Sequence, residues 1–135
     1  MNFQRAVSIE ANLDTQRVLI LYGPRRVGKT TMLQAFLKQT QLKVKAVTGD
    51  NVRTQHLLGT PDLQTLTEFL EGYQLLAIDE AQYIPQIGRT LKLLVDQFPE
   101  LYIIATGSSS FDLAQETGEP LTGRKRTLHL YPLSQ

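Results

Sequence analysis

The stretch LYGPRRVGKTT, residues 21–31, sets Gly23 and Gly28 five positions apart and follows them with Lys29, Thr30 and Thr31. Residues 23–30 satisfy the pattern G-x-x-x-x-G-K-[ST], and the flanks satisfy its context: an apolar run, VLILY at 18–22, leads in, and a helical pattern leads out. Glycines let the backbone curl so that its N–H groups converge on phosphate oxygens, and a helix N-terminus adds partial positive charge at the same place. The expected nucleotide-contacting residues are therefore Gly23, Pro24, Arg25, Arg26, Val27, Gly28, Lys29, Thr30 and Thr31. Lys29 is expected to reach the β- and γ-phosphates, Thr30 to offer its hydroxyl to Mg²⁺, and Thr31 to lie beside the α-phosphate. Arg25 and Arg26 stand at positions the pattern leaves free, so phosphate binding does not account for them. The bland alternative is a chance glycine-lysine turn between a strand and a helix.

Working outward, five short apolar runs appear. VLILY (18–22), LLAI (75–78) and LYIIA (101–105) are nearly continuous, as expected of strands covered on both faces of a parallel sheet. KVKAV (43–47) and RTLHLY (126–131) alternate polar with apolar and predict half-exposed edges. Between them lie helical patterns at 29–38, with Met32, Leu33, Phe36 and Leu37 on one side, and at 87–98, with Ile87, Leu91, Leu94, Val95 and Phe98. A further helix is predicted over 61–71, with Thr60 as N-cap and Pro61 at the first position. A helix or turn is expected within 3–14 and a short helix at 110–115. Alternating strands and helices mean crossover units, so the expected fold is α/β: one domain spanning 1–135, a three-layer sandwich around a five-stranded parallel sheet in the order 5-1-4-3-2.

LLAIDE (75–80) delivers two carboxylates at the C-terminal end of a strand, where open α/β sheets bind ligands. Asp79 is expected to hold Mg²⁺ through its water shell and Glu80 to accept a proton from an attacking water. Alone, such a pair is usually a solvated turn. The next predicted strand runs into TGSSS (106–110), which in the proposed order lies between those bearing Lys29 and Asp79. A hydroxyl there suits a sensor of the γ-phosphate and the water, with Ser108 the first choice and Thr106 the second. Capping of the following helix is the competing role for these residues.

Composition restricts the remaining classes. The chain has 135 residues, 41% of them hydrophobic, enough for one core that buries roughly two-thirds of the unfolded surface. Fourteen basic and thirteen acidic residues leave a net charge of +1, so any nucleic-acid binding has to be local. With no cysteine, disulfides and thiolate metal sites are excluded. The N-terminal residues carry no apolar core of signal-peptide length, and no run approaches the ~18 residues of a membrane span, so a cytoplasmic location is expected. His56 and His129 read as a loop residue and an edge-strand residue without ligand-spaced partners, and Phe36, Tyr73, Phe98 and Tyr102 as core or near-core groups.

GPRRVGKTT, LLAIDEAQ and IIATGSSSFDL, in that order, resemble the AAA-type P-loop ATPase domain found at the N-terminus of many bacterial and archaeal proteins, related to the STAND and origin-binding branch of the additional-strand class. The resemblance runs from about Arg17 to the end and includes LTGRKRTLHLYPLS. It implies ATP or ADP with Mg²⁺, Lys29 and Thr30 as Walker A residues, Asp79 and Glu80 as Walker B, a sensor near Ser108, and Arg124 as an arginine finger or cis-acting phosphate sensor. The competing reading of Arg124, with Lys125 and Arg126, is a solvated cationic loop. Members of that family usually continue into a helical lid and a C-terminal domain, whereas this sequence stops at Gln135, so slow hydrolysis is expected.

Three other readings compete. A non-catalytic, nucleotide-dependent switch uses the same residues with no turnover. A DNA-associated module would use Arg25, Arg26, Arg124, Lys125 and Arg126. A helicase fragment is suggested by DEAQ at 79–82, but TGSSS stands where SAT would be expected and there is no second RecA-like domain. Self-association through the ATPase face is the further partner expectation, and none involves a membrane.

Overall fold

The computed structural model describes residue 9, residues 13–22, 29–107 and 125–129. Gly23, Pro24, Arg25, Arg26, Val27, Gly28, Ser108 and Arg124 lie outside the described residues, as does the expected helix at 110–115. The strands are β1 (Val18–Tyr22), β2 (Val44–Thr48), β3 (Leu75–Asp79), β4 (Tyr102–Gly107) and β5 (Lys125–His129). The helices are α1 (Lys29–Gln39), α2 (Val52–Gly59), α3 (Leu63–Leu70) and α4 (Ile87–Gln97), with a 3-10 turn at Ala81–Tyr83. All strand pairs are parallel, in the order β2-β3-β4-β1-β5, which read from the other edge is 5-1-4-3-2.

Side-chain alternation divides the core into two layers. Val18, Ile20, Leu76, Ile78, Ile103 and Ala105 meet α2, α3 and α4 on one face. Leu19, Leu21, Leu75, Ala77 and Ile104 meet Met32, Leu33 and Phe36 of α1, together with Ile9, on the other. The central strands carry apolar side chains on both faces because helices cover both. Edge strand β2 is only partly buried along its length except at exposed Ala46. There Lys45 lies over the rings of Phe69 and Tyr73, 4.7 and 5.2 Å from their centroids, which covers aromatic surface while keeping the ammonium wet.

Three local expectations are corrected. The segment before α3 is itself helical: α2 starts on Asn51, whose side chain accepts from the N–H groups of Arg53 and Thr54, and this places His56 on a helix rather than in a loop. Thr60 ends that helix, bonding the His56 carbonyl through both its N–H and its hydroxyl, so it cannot start the next one. The N-cap of α3 is Asp62. Tyr73 is also more exposed than a core aromatic, at 37%. A buried tie joins α2 to α4, where the Thr90 hydroxyl donates to the Leu58 carbonyl.

Asp62 accepts from the N–H of Thr65 at 2.9 Å and from its hydroxyl at 2.8 Å. The backbone bond first, and the hydroxyl second, hold its carboxyl below the usual 3.8 against a small opposing effect of desolvation. A carboxyl whose folded pKa is depressed contributes stability that is present above its unfolded value and lost as pH falls through the folded one. Thermal melts stepped downward from pH 5 should therefore fall less steeply for Asp62→Asn than for the parent chain below about pH 4. Identical slopes would show that this cap is not linked to acid unfolding.

Candidate functional site

Parallel pairing places the ends of β1, β4 and β3 side by side. Leu21 is opposite Thr106, and Ile78 is opposite Ala105. Asp79 ends β3, and its parity matches Leu75 and Ala77, on the face covered by α1. Thr106 has the parity of Ile104 and shares that face. Lys29, Thr30 and Thr31 lie in the first turn of α1. The lysine-bearing helix start and the carboxylate-bearing strand end thus share one side of one sheet rim.

Thr106 is fully buried and joins the two carboxylate residues. Its hydroxyl donates to Asp79 Oδ1 at 2.5 Å and accepts from the Glu80 N–H at 2.9 Å. A hydroxyl has one proton, and here Asp79 takes it. Thr106 consequently acts as a tie across the rim; to donate to a phosphate it would have to release Asp79.

Glu80 leaves the strand in the left-handed region, φ 54° and ψ 50°, and is only 8% exposed. That conformation costs a non-glycine residue on the order of 1–2 kcal/mol and persists where surrounding bonds over-determine it. Several do so here. Besides Thr106, the Gly49 N–H donates to the Asp79 carbonyl at 2.7 Å, and Tyr83 and Ile84 donate to the Glu80 and Ala81 carbonyls. Gly49 has to be glycine, since a Cβ there would collide with the Glu80 carbonyl oxygen. Its own carbonyl accepts from Gln55 Nε2 at 2.9 Å, which anchors the turn to α2.

Gln82 completes the cluster. Its Nε2 donates to Glu80 Oε1 at 2.8 Å, while its Oε1 is buried without a partner. A carboxylate only accepts, so the amide nitrogen has to be the end facing Glu80. A hydrogen bond to a charged group contributes about 1.5–3 kcal/mol and an orphaned buried acceptor costs about 1–3, so the two nearly offset.

A cleft of about 380 Å³ lies between α1 and β2, lined by Gln34, Leu37, Ala46, Thr48, Asn51 and Asp79 among others. Asp79 is among the residues that line it. A hard cation that retains several waters suits an oxygen donor at such a cleft, and the Asp79 carboxylate has that chemistry. Among the described residues no group of three or more His, Cys, Asp or Glu could enclose a metal by itself, and no helix is long and apolar enough to cross a membrane.

Gly49, Gln55 and Gln82 were absent from the residues picked by sequence. TGDN at 48–51 between a strand and a helix was the available signal for Gly49; Gln82 lies within DEAQ.

A parallel α/β sheet whose β1 and α1 flank the sequence G-x-x-x-x-G-K-T, with an acidic end to β3, defines the class of P-loop nucleotide-binding folds. Residues 15–135 match the family described as AAA domain, and the chain belongs to that family. An uncharacterized protein of Mycobacterium tuberculosis is 32% identical over 131 residues, covering 96% of this chain and 28% of that protein. The chain therefore spans little more than a quarter of that relative's length. Among solved structures, AMPPCP-bound DnaA from Aquifex aeolicus superposes with a TM-score of 0.60 at 16% identity, covering 95% of this chain and 45% of that one. The Thermotoga maritima RuvB Holliday junction branch migration motor gives 0.59 at 18% identity, covering 95% and 43%. These two likenesses establish the fold alone.

Two substitutions test the rim. Thr106→Val keeps shape but leaves the Glu80 N–H unpaired, and should lower unfolding free energy by about 1–3 kcal/mol in urea titration, with Thr106→Ser close to the parent. Gly49→Ala should cost about 1–3 kcal/mol through overpacking against the Glu80 peptide; a thermal midpoint equal to the parent's would refute that close approach.

Proposed function

We propose that this AAA domain binds ATP with Mg²⁺ and hydrolyses it slowly, as an additional-strand P-loop ATPase core. The observation that carries the reading is the Asp79–Thr106–Glu80 tie on the α1 side of the rim, which holds the carboxylate pair at the end of β3, with β4 between it and β1, the strand that precedes the G-x-x-x-x-G-K-T sequence. Residues 23–28 cradle the phosphates through their backbone, Lys29 pairs with the β- and γ-phosphates, and Thr31 lies near the α-phosphate. Asp79, through its water shell, and the Thr30 hydroxyl are the groups that would hold Mg²⁺. When bound, the ion draws charge from the phosphate oxygens.

In this reading Glu80 accepts a proton from water as the water oxygen attacks the γ-phosphorus and the bond to the ADP oxygen breaks. Burial of Glu80 keeps competing solvent away from its carboxylate, and the pinned backbone limits the positions that carboxylate can take. Ser108 remains the proposed sensor, since the Thr106 proton is committed to Asp79. Arg124 is proposed to stabilise phosphoryl charge, in cis or from a second copy associating through the ATPase face. Dependence on ATP agrees with a cytoplasmic location. DNA association, by way of Arg25, Arg26 and Arg124, remains a proposal of lower standing, since the net charge is only +1.

Isothermal titration of the 135-residue chain with ADP and with ATP plus Mg²⁺ tests binding. Lys29→Ala should weaken affinity by about tenfold to a hundredfold, the worth of one charge-assisted contact. Glu80→Gln should keep affinity while slowing single-turnover phosphate release by about a hundredfold or more. No heat with either nucleotide in a folded sample would overturn the binding assignment; phosphate release at one rate in both proteins would overturn the role of Glu80.

A further inference from the structure

Among the described residues β2 has a neighbouring strand on one side alone, so its other edge is open. The bonds to β3 show which backbone groups that edge presents. The Lys43 carbonyl accepts from the N–H groups of Gln74 and Leu75, and the Gly49 N–H donates to the Asp79 carbonyl. In a parallel ladder a residue sends its N–H and its C=O to the same side, and successive residues alternate. Lys43, Lys45, Val47 and Gly49 therefore address β3, while Val44 and Ala46 turn both backbone groups outward. Thr48 turns out its N–H, its carbonyl being taken by the Asn51 N–H.

The two faces beside this edge differ in chemistry. Val44 and Ala46 stand level with Leu75 and Ala77 on the α1 face, where the cleft lined by Leu33, Leu37 and Ala46 lies. Ala46 is exposed at the middle of the strand. On the opposite face Lys45 lies over the rings of Phe69 and Tyr73, Lys43 shares its parity, and neither lysine makes an ion pair among the described residues. Extended chains add to open sheet edges through main-chain hydrogen bonds, and their alternate side chains meet the two faces. We propose that the open edge of β2 takes up an extended segment of a partner protein in which apolar and acidic residues alternate. The apolar side chains enter the cleft over Ala46, and the acidic ones pair with Lys43 and Lys45. A second copy of β2 suits the edge less well, because antiparallel pairing of two such strands gathers the lysines of both copies on one face.

The test is isothermal titration of the 135-residue chain with a capped synthetic peptide of alternating glutamate and valine, about as long as β2, against one of alternating lysine and valine. The acidic peptide should bind, more weakly as salt is raised, and the lysine peptide should not. Ala46→Pro removes an outward N–H and no bond to β3, so the thermal midpoint should stay near the parent's while affinity falls about tenfold or more. Lys45→Glu should weaken the acidic peptide and admit the lysine one. Hydrogen exchange of the parent chain supplies a readout that needs no variant: the Val44 and Ala46 amides should slow when the acidic peptide is added. No binding of the acidic peptide would leave the two lysines as guards of the edge and overturn the proposal. So would equal binding of both peptides, binding undiminished in a folded Ala46→Pro chain, or Val44 and Ala46 amides that do not slow. Dimerisation of the parent chain that Ala46→Pro abolishes would assign the edge to a second copy and overturn it as well.

Discussion

One hydroxyl holds the rim of this sheet together. Thr106 donates to the carboxylate of Asp79 and accepts from the N–H of Glu80, using its proton and a lone pair on two consecutive residues of the neighbouring strand. The chain can bend sharply after β3 only because that bond and the Gly49 contact fix both sides of the Asp79–Glu80 peptide. In a fully buried setting such bonds are electrostatically stronger than they would be in water, and leaving one unmade costs correspondingly more. The left-handed Glu80 backbone is sustained by this balance, and the strain is local to a site flanked by the apolar layers of the central strands.

Those layers explain why the rim can be polar at all. β3, β4 and β1 are nearly or fully buried along most of their described lengths, so their positions are set by packing on both faces, and their C-terminal ends are placed without help from the rim itself. Edge strand β2 contributes differently. Its last residue leads directly into Gly49, and Gln55 on α2 grips the Gly49 carbonyl, so the edge reaches the centre of the site through one turn. A change at α2 would thus be transmitted to Glu80 through the Gly49 peptide.

Much of this could be read in the sequence because it rests on local pattern. Unbroken apolar runs against alternating ones separated centre from edge, and the glycine-lysine loop between a strand and a helix placed the first turn of α1. The carboxylates of Asp79 and Glu80 were legible from their place after LLAI. What escaped depends on contacts between distant segments. Gly49 is required by the Glu80 carbonyl thirty-one positions on, and no neighbour in sequence reports that. Helix α2 was missed since its buried residues are few, chiefly Thr54 and Leu58, while Asn51 gave the one strong start signal. Thr106 ranked below Ser108 because hydroxyl content alone does not say which hydroxyl is already committed; the bonds of Thr106 to Glu80 and Asp79 join positions 26 and 27 apart in sequence.

The placement of Thr106 also bears on which hydroxyl could sense a nucleotide. A hydroxyl bonded to a carboxylate can reach a phosphate only by giving that carboxylate up, and the Thr106 proton goes to Asp79 while its oxygen holds the Glu80 N–H. Turning that proton elsewhere would leave a half-buried carboxylate short of a donor at the very bend that Thr106 sustains. The tie therefore argues for a positional role at Thr106, and it is the reason the sensor role is proposed for Ser108 instead.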